Sequence, residues 1–228
     1  ISCIFPFLPL KRTLSILYAA SASGELGETL VKKLATEKKI RAHLTLVDIS
    51  TKQLTQNKNP HTQKICADLM KMHLSKKYDI ILMRSSLDYF STEKKQIHAL
   101  KKIRNWLAKD GVFFNQPAYL PTVSERNLAD RIYRSNDKIG RRHFQSSDIK
   151  QLYSLANLKM KKIGVAPKMR ITEKEHVQRY HIGEKEVKRI QKIISHAPKS
   201  KRPNIKITPS GYSMTFHFPI FAAWKNFP

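Results

Sequence analysis

Cysteine, glycine, acidic residues and long apolar runs are all scarce in this 228-residue chain, and each shortage excludes something. Two cysteines, Cys3 and Cys66, give neither a disulfide framework nor metal-ligand spacing, so the expected setting is a reducing one, the cytoplasm. None of the nine histidines joins a His/Asp/Glu cluster of the kind that holds a metal. No apolar run approaches the roughly 18 residues that a membrane-spanning helix needs. The opening ISCIFPFLPLKR is apolar for about ten residues with no basic stretch ahead of it, and reads as a packed or lid segment rather than a secretion signal.

The scarcest charge is negative. Seventeen Asp and Glu face 43 Lys and Arg, a formal net charge of +26. A surplus of that size attracts polyanions, so the expected partner is a nucleic acid, RNA before DNA, or another anionic species. An acidic protein or membrane surface, or a basic composition without functional meaning, is the alternative.

What is present is a core-forming chain, 41% hydrophobic, in which apolar runs of strand length alternate with helical spacing. LSILYA (14–19) reads as a first strand, and GELGETLVKKLATEKK as a helix with Leu26, Leu30, Val31 and Leu34 on one stripe. AHLTLVDIS (42–50) is a second strand ending near Asp48. A loop around Pro60 follows, then KICADLM as a third strand ending at Asp68, and YDIILMRS (78–85) as a fourth. TEKKQIHALKKIRNWLAKDG reads as a helix stopped by Gly111, and VFFNQPA as a fifth strand. FQSSDIKQLYSLANLKMKKIGV (144–165) reads as a helix capped by Ser146 or Ser147, then a sixth strand. TEKEHVQRYHIGEKEVKRIQKIISHA (172–197) is helical in pattern, with Gly183 as a divide and Val177, Tyr180, Val187, Ile190 and Ile194 as its packing stripe. PKSKRPNIKITP is a basic connector, and YSMTFHFPIFAAWK (212–225) a final strand, broken or edge-placed at Pro219.

Strands alternating with helices through short connections predict an α/β fold, a mostly parallel sheet with helices on both faces. Ligands of such sheets bind beyond the carboxyl ends of the strands, where the strand order reverses. The residues there are Ala20 to Gly24, Asp48, Asp68 and Arg84 to Ser86.

Two cofactor chemistries compete for the first loop. ASGELG (22–27) fits the dinucleotide pattern Gly-x-Gly-x-x-Gly with alanine for the first glycine, and Asp48 follows at a suitable distance. Yet none of the eight tyrosines has a lysine four residues on, the proton-transfer pair of a short-chain reductase. More of the chain resembles the class I S-adenosylmethionine-dependent methyltransferases. Laid on their first motif, an acid, a spacer and Gly-x-Gly-x-Gly, LYAASASGEL puts Tyr18 at the acid and Ala20, Ala22 and Gly24 at the glycines. Asp48 matches the acid that takes the ribose hydroxyls. CADL (66–69) matches the segment where an acid, here Asp68 beside Leu69, meets the adenine amine. YDIILMRSSLDYF, with Arg84 at its strand end, is similar to the fourth motif, and ALKKIRNWLAKDGVFF to the helix, turn and fifth strand that follow.

That resemblance covers residues 14–165. It implies a Rossmann-like, seven-stranded sheet with the last strand antiparallel, in one domain over 1–228. Residues 1–13 are then an N-terminal extension, 14–165 the cofactor-binding core, 166–210 a basic helical insertion and 211–228 the terminal strand. It implies S-adenosylmethionine as cofactor, bound by Tyr18, Ala20, Ala22, Gly24, Asp48, Asp68, Leu69 and Arg84, and an enzyme that transfers methyl groups. Three departures, Tyr18, Ala20 and Ala22, open the alternative of an inactive relative that binds nucleic acid or protein through its basic surface. At a positive φ an alanine costs on the order of 1 kcal/mol.

The acceptor is less legible. RSSL (84–87) replaces the Asn/Asp-Pro-Pro-Tyr/Phe that holds an exocyclic base amine, and no cysteine stands in a motif for covalent attack on a pyrimidine. Both base-modifying chemistries are disfavoured, and transfer by positioning, with or without a general base, remains. Tyr89, Tyr119 and His143 are the candidate substrate-binding residues, with Phe5 and Phe7 behind them. Asp88 is a candidate base of lesser standing, and no catalytic residue is assigned.

Overall fold

The structure, a computed structural model, describes residues 1–135 and 140–225. Its centre is one eight-stranded sheet: β1 Thr13–Ala19, β2 Arg41–Asp48, β3 Gln63–Cys66, β4 Tyr78–Arg84, β5 Leu107–Gln116, β6 Lys159–Thr172, β7 Ile205–Thr208 and β8 Gly211–Trp224. The order is β3-β2-β1-β4-β5-β8-β6, with β7 paired to β8. β1 to β5 run parallel to one another, and β8 is antiparallel to β5, β6 and β7. Strand order therefore reverses between β1 and β4, the place where an open sheet offers a crevice.

The pleat of β1 shows why helices cover both faces. Leu14, Ile16 and Tyr18 pack with Leu30 and Leu34 of α1 (Glu25–Lys38). Leu17 and Ala19 point the other way, into the cluster that holds Ala99, Leu100 and Ile103 of α3 (Glu93–Trp106). Alternate side chains are buried on opposite sides, so the strand is apolar throughout. The N-terminal segment packs on the core: Ile4 is buried on the α1 side, and Phe7 lies against Trp224 with ring centroids 5.8 Å apart.

Several sequence expectations need correction. The seven expected strands are joined by an eighth, since IKIT, inside the basic connector, forms β7 as a hairpin arm of β8. Gly111 does not stop α3. The helix ends at Trp106, Leu107 turns extended, and Gly111 lies inside β5, where a Cβ would stand 2.8 Å from the Tyr78 carbonyl oxygen. The third strand stops at Cys66, two residues short of Asp68. The helix α5 (Ser146–Leu155) is capped by Gln145, in a reciprocal box with Asp148, rather than by a serine. Pro219 does not break β8. It falls between the stretch paired with β7 and the stretch paired with β5, where the strand can spare an amide.

β6 runs on to Thr172, so residues 166–172 belong to the sheet and the helical part begins after them. There α6 (Glu173–Tyr180) and α7 (Glu184–Ser195) are separated at Gly183. Ile190 and Ile194 are buried, and Val177, Tyr180 and Val187 pack beside them. These helices share a third core with α4 (Val123–Arg134), an element absent from the sequence reading, and with the outer half of β8. A four-residue α2 (Thr51–Leu54) follows β2. No helix among the described residues is long and apolar enough to cross a membrane.

Candidate functional site

β1 delivers the chain to a five-residue loop, Ala20 to Gly24, before α1. Its backbone is left-handed at three positions: Ala20 at φ 52°, Ala22 at 50° and Gly24 at 81°. These are the three positions that the methyltransferase pattern gives to glycine. Two alanines thus tolerate a conformation that disfavours any Cβ by about 1 kcal/mol each. Gly24 could not do the same, because its Cβ would stand 2.4 Å from Leu46 Cδ1. The loop is closed by Gly24 N–H donating to Ser21 O (2.9 Å) and Ser21 N–H to Val47 O (3.0 Å).

Asp48, at the end of β2, fixes the loop from outside. Its Oδ2 accepts the Ala22 amide at 2.8 Å, and its Oδ1 the Ser50 amide at 2.9 Å. A carboxylate has about four acceptor positions, so two protein donors leave it capacity for hydroxyls. Beyond β3, Asp68 Oδ1 accepts the Met70 amide at 2.8 Å, while its Oδ2 takes no donor among the described residues. A third carboxylate, Glu28 on α1, gathers Asn57, Asn59 and Thr62 at 2.8, 2.8 and 2.6 Å and so holds the loop after α2. Burial raises the Glu28 pKa, but these three donors outweigh it and hold the carboxyl below its ordinary value.

β4 contributes the turn Arg84–Ser85–Ser86. Ser85 sits at φ 48°, and its amide donates to Gln116 O at 2.8 Å, tying the ends of β4 and β5. Together these strand ends surround a cavity of about 910 Å³. Tyr18, Ala20, Ala22, Asp48, Asp68, Leu69, Arg84 and Tyr89 all line it. Burial pushes the Tyr18 phenol up to about 12, against the pull of Arg84, so it faces the cavity as a neutral group where the family has an anion. Gly24 is buried beneath the loop and sets its turn.

Tyr119 and His143 do not line the cavity. Tyr119 exchanges backbone hydrogen bonds with His217, both 3.0 Å. His143 is fully buried, its Nδ1 2.9 Å from Asp130 Oδ1 on α4. Phe5 and Phe7 pack with the α1-side core. Asp88 is no free base either: it is fully buried, and Arg141 Nη1 donates to its Oδ2 at 2.7 Å. The Arg141 guanidinium lies 3.7 Å over the Tyr89 ring and donates to Tyr180 Oη at 2.6 Å. Burial would weaken its charge, but Asp88 and the tyrosines reverse this and raise its pKa.

The sequence reading missed part of the wall. Glu25, Leu26 and Ile49 extend the β1–β2 side, and Ala166, Pro167, Met169, Arg179 and Phe218 close the far side from β6, α6 and β8. Ile49 had a signal, an apolar residue directly after the Asp48 strand end, and is 72% exposed. The β6, α6 and β8 residues had none, because only the folded sheet brings residues 166–218 to the β1 loop.

A family profile described as a methyltransferase domain matches residues 24–115, beginning at the one glycine that the first loop retains. No curated protein sequence matches the chain. Among solved structures, the YcgJ protein of Bacillus subtilis superposes with a TM-score of 0.78 at 14% identity, covering 100% of this chain and 98% of that one. A candidate methyltransferase from Bacillus halodurans gives 0.78 at 12% identity, covering 99% and 98%. An S-adenosylmethionine-dependent methyltransferase from Clostridium acetobutylicum gives 0.51 at 13% identity, covering 96% and 87%. At these identities the likeness is one of fold.

Proposed function

We propose that the chain is a class I S-adenosylmethionine-dependent methyltransferase that transfers the cofactor's methyl group to an anionic acceptor, a reading supported by the methyltransferase-domain profile over residues 24–115 and by the fold. One observation carries the reading: Ala20, Ala22 and Gly24 keep the left-handed backbone of the glycine loop although two of them are not glycine. Left-handed alanines carry strain, and strain of this kind concentrates at ligand sites, which supports a loop that still cradles a cofactor.

The residues fit the cofactor. Asp48 keeps acceptor capacity for a pair of vicinal hydroxyls, and Asp68 Oδ2 is open to an exocyclic amine. The exposed side chain of Ile49 offers a planar base an apolar surface between them. The cavity, at about 910 Å³, lies at the upper end of ligand pockets, about 300–1,000 Å³, and so has room for an acceptor as well. When bound, the cofactor supplies an electrophilic methyl on a sulfonium. The chain's own contribution is to orient the two molecules and to exclude water, which suffices for large accelerations of a bimolecular transfer. The net charge of +26 supports the anionic acceptor.

The test is calorimetric titration of the purified protein with S-adenosylmethionine and S-adenosylhomocysteine, followed by methyl-transfer assays on anionic small molecules and RNA. Saturable cofactor binding with transfer to an anionic acceptor supports the reading. A folded protein that binds neither nucleoside overturns it in favour of a binding protein.

A further inference from the structure

Charge is segregated along the cavity wall. Glu25 opens α1, Asp48 ends β2 and Asp68 follows β3, whereas the two cations, Arg84 and Arg179, come from β4 and α6. Neither arginine takes part in an ion pair among the described residues. The carboxylate nearest to Arg179 on its own helix, Glu175, is committed to the α6 cap: its Oε2 accepts both the amide and the hydroxyl of Thr172, each at 2.8 Å.

Both arginines hang from segments that are clasped together. Arg179 precedes Tyr180, whose hydroxyl accepts from Arg141 Nη2 at 2.6 Å. Arg141 in turn pairs with Asp88 at 2.7 Å, in the turn that follows Arg84. The Thr172–Glu175 capping box fixes the other end of α6. The backbones that carry the two cations are thus joined through one buried ion pair, which reduces the ordering cost of binding. The same cavity carries an apolar surface from Pro167, Met169 and Phe218.

We infer that the methyl acceptor is a small amphipathic anion, its carboxylate or phosphate held by Arg179 with Arg84, a residue the resemblance had given to the cofactor, and its apolar body laid against Met169 and Phe218. This rests on the methyltransferase reading and names its substrate class. A guanidinium offers a planar fork that matches carboxylate and phosphate oxygens in pairs, which a lysine surface does not. The arginines line a cavity rather than a track of basic and aromatic residues, which is the arrangement that follows a single strand.

The test uses the full chain saturated with S-adenosylhomocysteine and titrated calorimetrically with octanoate, octyl phosphate and octanamide. The expected result is that one or both anions bind at least about tenfold more tightly than the amide, the headgroup preferred telling carboxylate from phosphate. Arg179→Gln and Arg84→Gln should each shrink that difference, with the apolar affinity for octanamide retained. Equal binding of anion and amide to the cofactor-saturated protein overturns the inference and leaves the methyltransferase reading standing. So does a short single-stranded RNA that displaces octanoate and is itself methylated. Failure of S-adenosylhomocysteine to bind overturns both.

Discussion

The Ala22 amide donates to Asp48 Oδ2 at 2.8 Å, joining the first loop to the end of the second strand across 26 residues of sequence. The same carboxylate that would receive the ribose therefore also holds the loop in shape. Tyr18, standing where the family has an acid, is neutral and cannot contribute a charge to that task. Asp48 is in this sense more central here than in a loop made of glycines, which would need less holding.

The strain in the loop is open to direct measurement. Ala22→Gly and Ala20→Gly each remove a Cβ from a left-handed position and are expected to stabilise the protein by about 0.5–1 kcal/mol. In urea unfolding the midpoint should rise with the slope unchanged. Gly24→Ala should do the opposite and cost about 1–3 kcal/mol, since its Cβ would collide with Leu46 and the backbone is left-handed.

Arg141 and Asp88 form an ion pair with side chains 6% and 0% exposed. Arg141→Met leaves the carboxylate of Asp88 buried without its partner and is expected to cost about 3–5 kcal/mol in urea unfolding. The double variant Arg141→Met with Asp88→Leu removes both charges and should recover most of that loss. A double variant as unstable as the single one would mean that the pair's packing, and not its charge, holds the turn to α6.

His176 makes stability depend on pH. Its ring is buried, its Nδ1 2.6 Å from Tyr212 Oη, and burial first, then Arg141, Arg179 and His143, lowers its pKa from 6.5 to about 4. Tyr133 and Tyr180 complete its surroundings with neutral rings. The unfolded chain takes up this proton near pH 6.5 and the folded one only near pH 4, so stability is full above 6.5 and falls as the pH drops to 4. At about 1.4 kcal/mol for each unit, the loss approaches about 3 kcal/mol. Asp79 adds to it lower down: burial raises its pKa, but hydrogen bonds from Lys11 and Ser15 prevail and lower it, so acid also removes its contribution. His176→Gln should flatten the stability profile between pH 6.5 and 4 and leave the lower part in place. An unchanged profile would remove His176 as the cause.

The parallel half of the fold was legible because β1 and β4 are apolar runs buried on both faces, and because Asp48 and Arg84 close β2 and β4 with a charge. The cavity wall at Tyr18, Ala20, Asp48, Asp68 and Arg84 could be named from the chain alone, because each lies in or just after an apolar run of strand length. Other features were legible in principle. Thr122 caps α4 by accepting the Glu125 amide three residues on, and Leu128, Ala129, Ile132 and Tyr133 follow at helical spacing. Gly111 was misjudged because a glycine after a lysine-rich helix looks like a stop, whereas the need for it comes from Tyr78 on a neighbouring strand. The wall formed by β6, α6 and β8 was not legible, although Tyr89 and Arg84 nearby were. Arg141 reaches Asp88 across 53 residues, and Arg179 enters the cavity on a helix whose sequence shows only an amphipathic stripe.

The most direct measurement is calorimetric titration of S-adenosylhomocysteine into the wild-type protein and into Asp48→Ala. Hydrogen bonds to a charged acceptor contribute about 1.5–3 kcal/mol. The expected result is saturable binding to the wild type, weakened by about 10- to 100-fold in the variant. A folded wild-type protein that fails to bind, or a variant that binds as tightly as the wild type, would contradict a cofactor site built on the Ala20–Gly24 loop and Asp48.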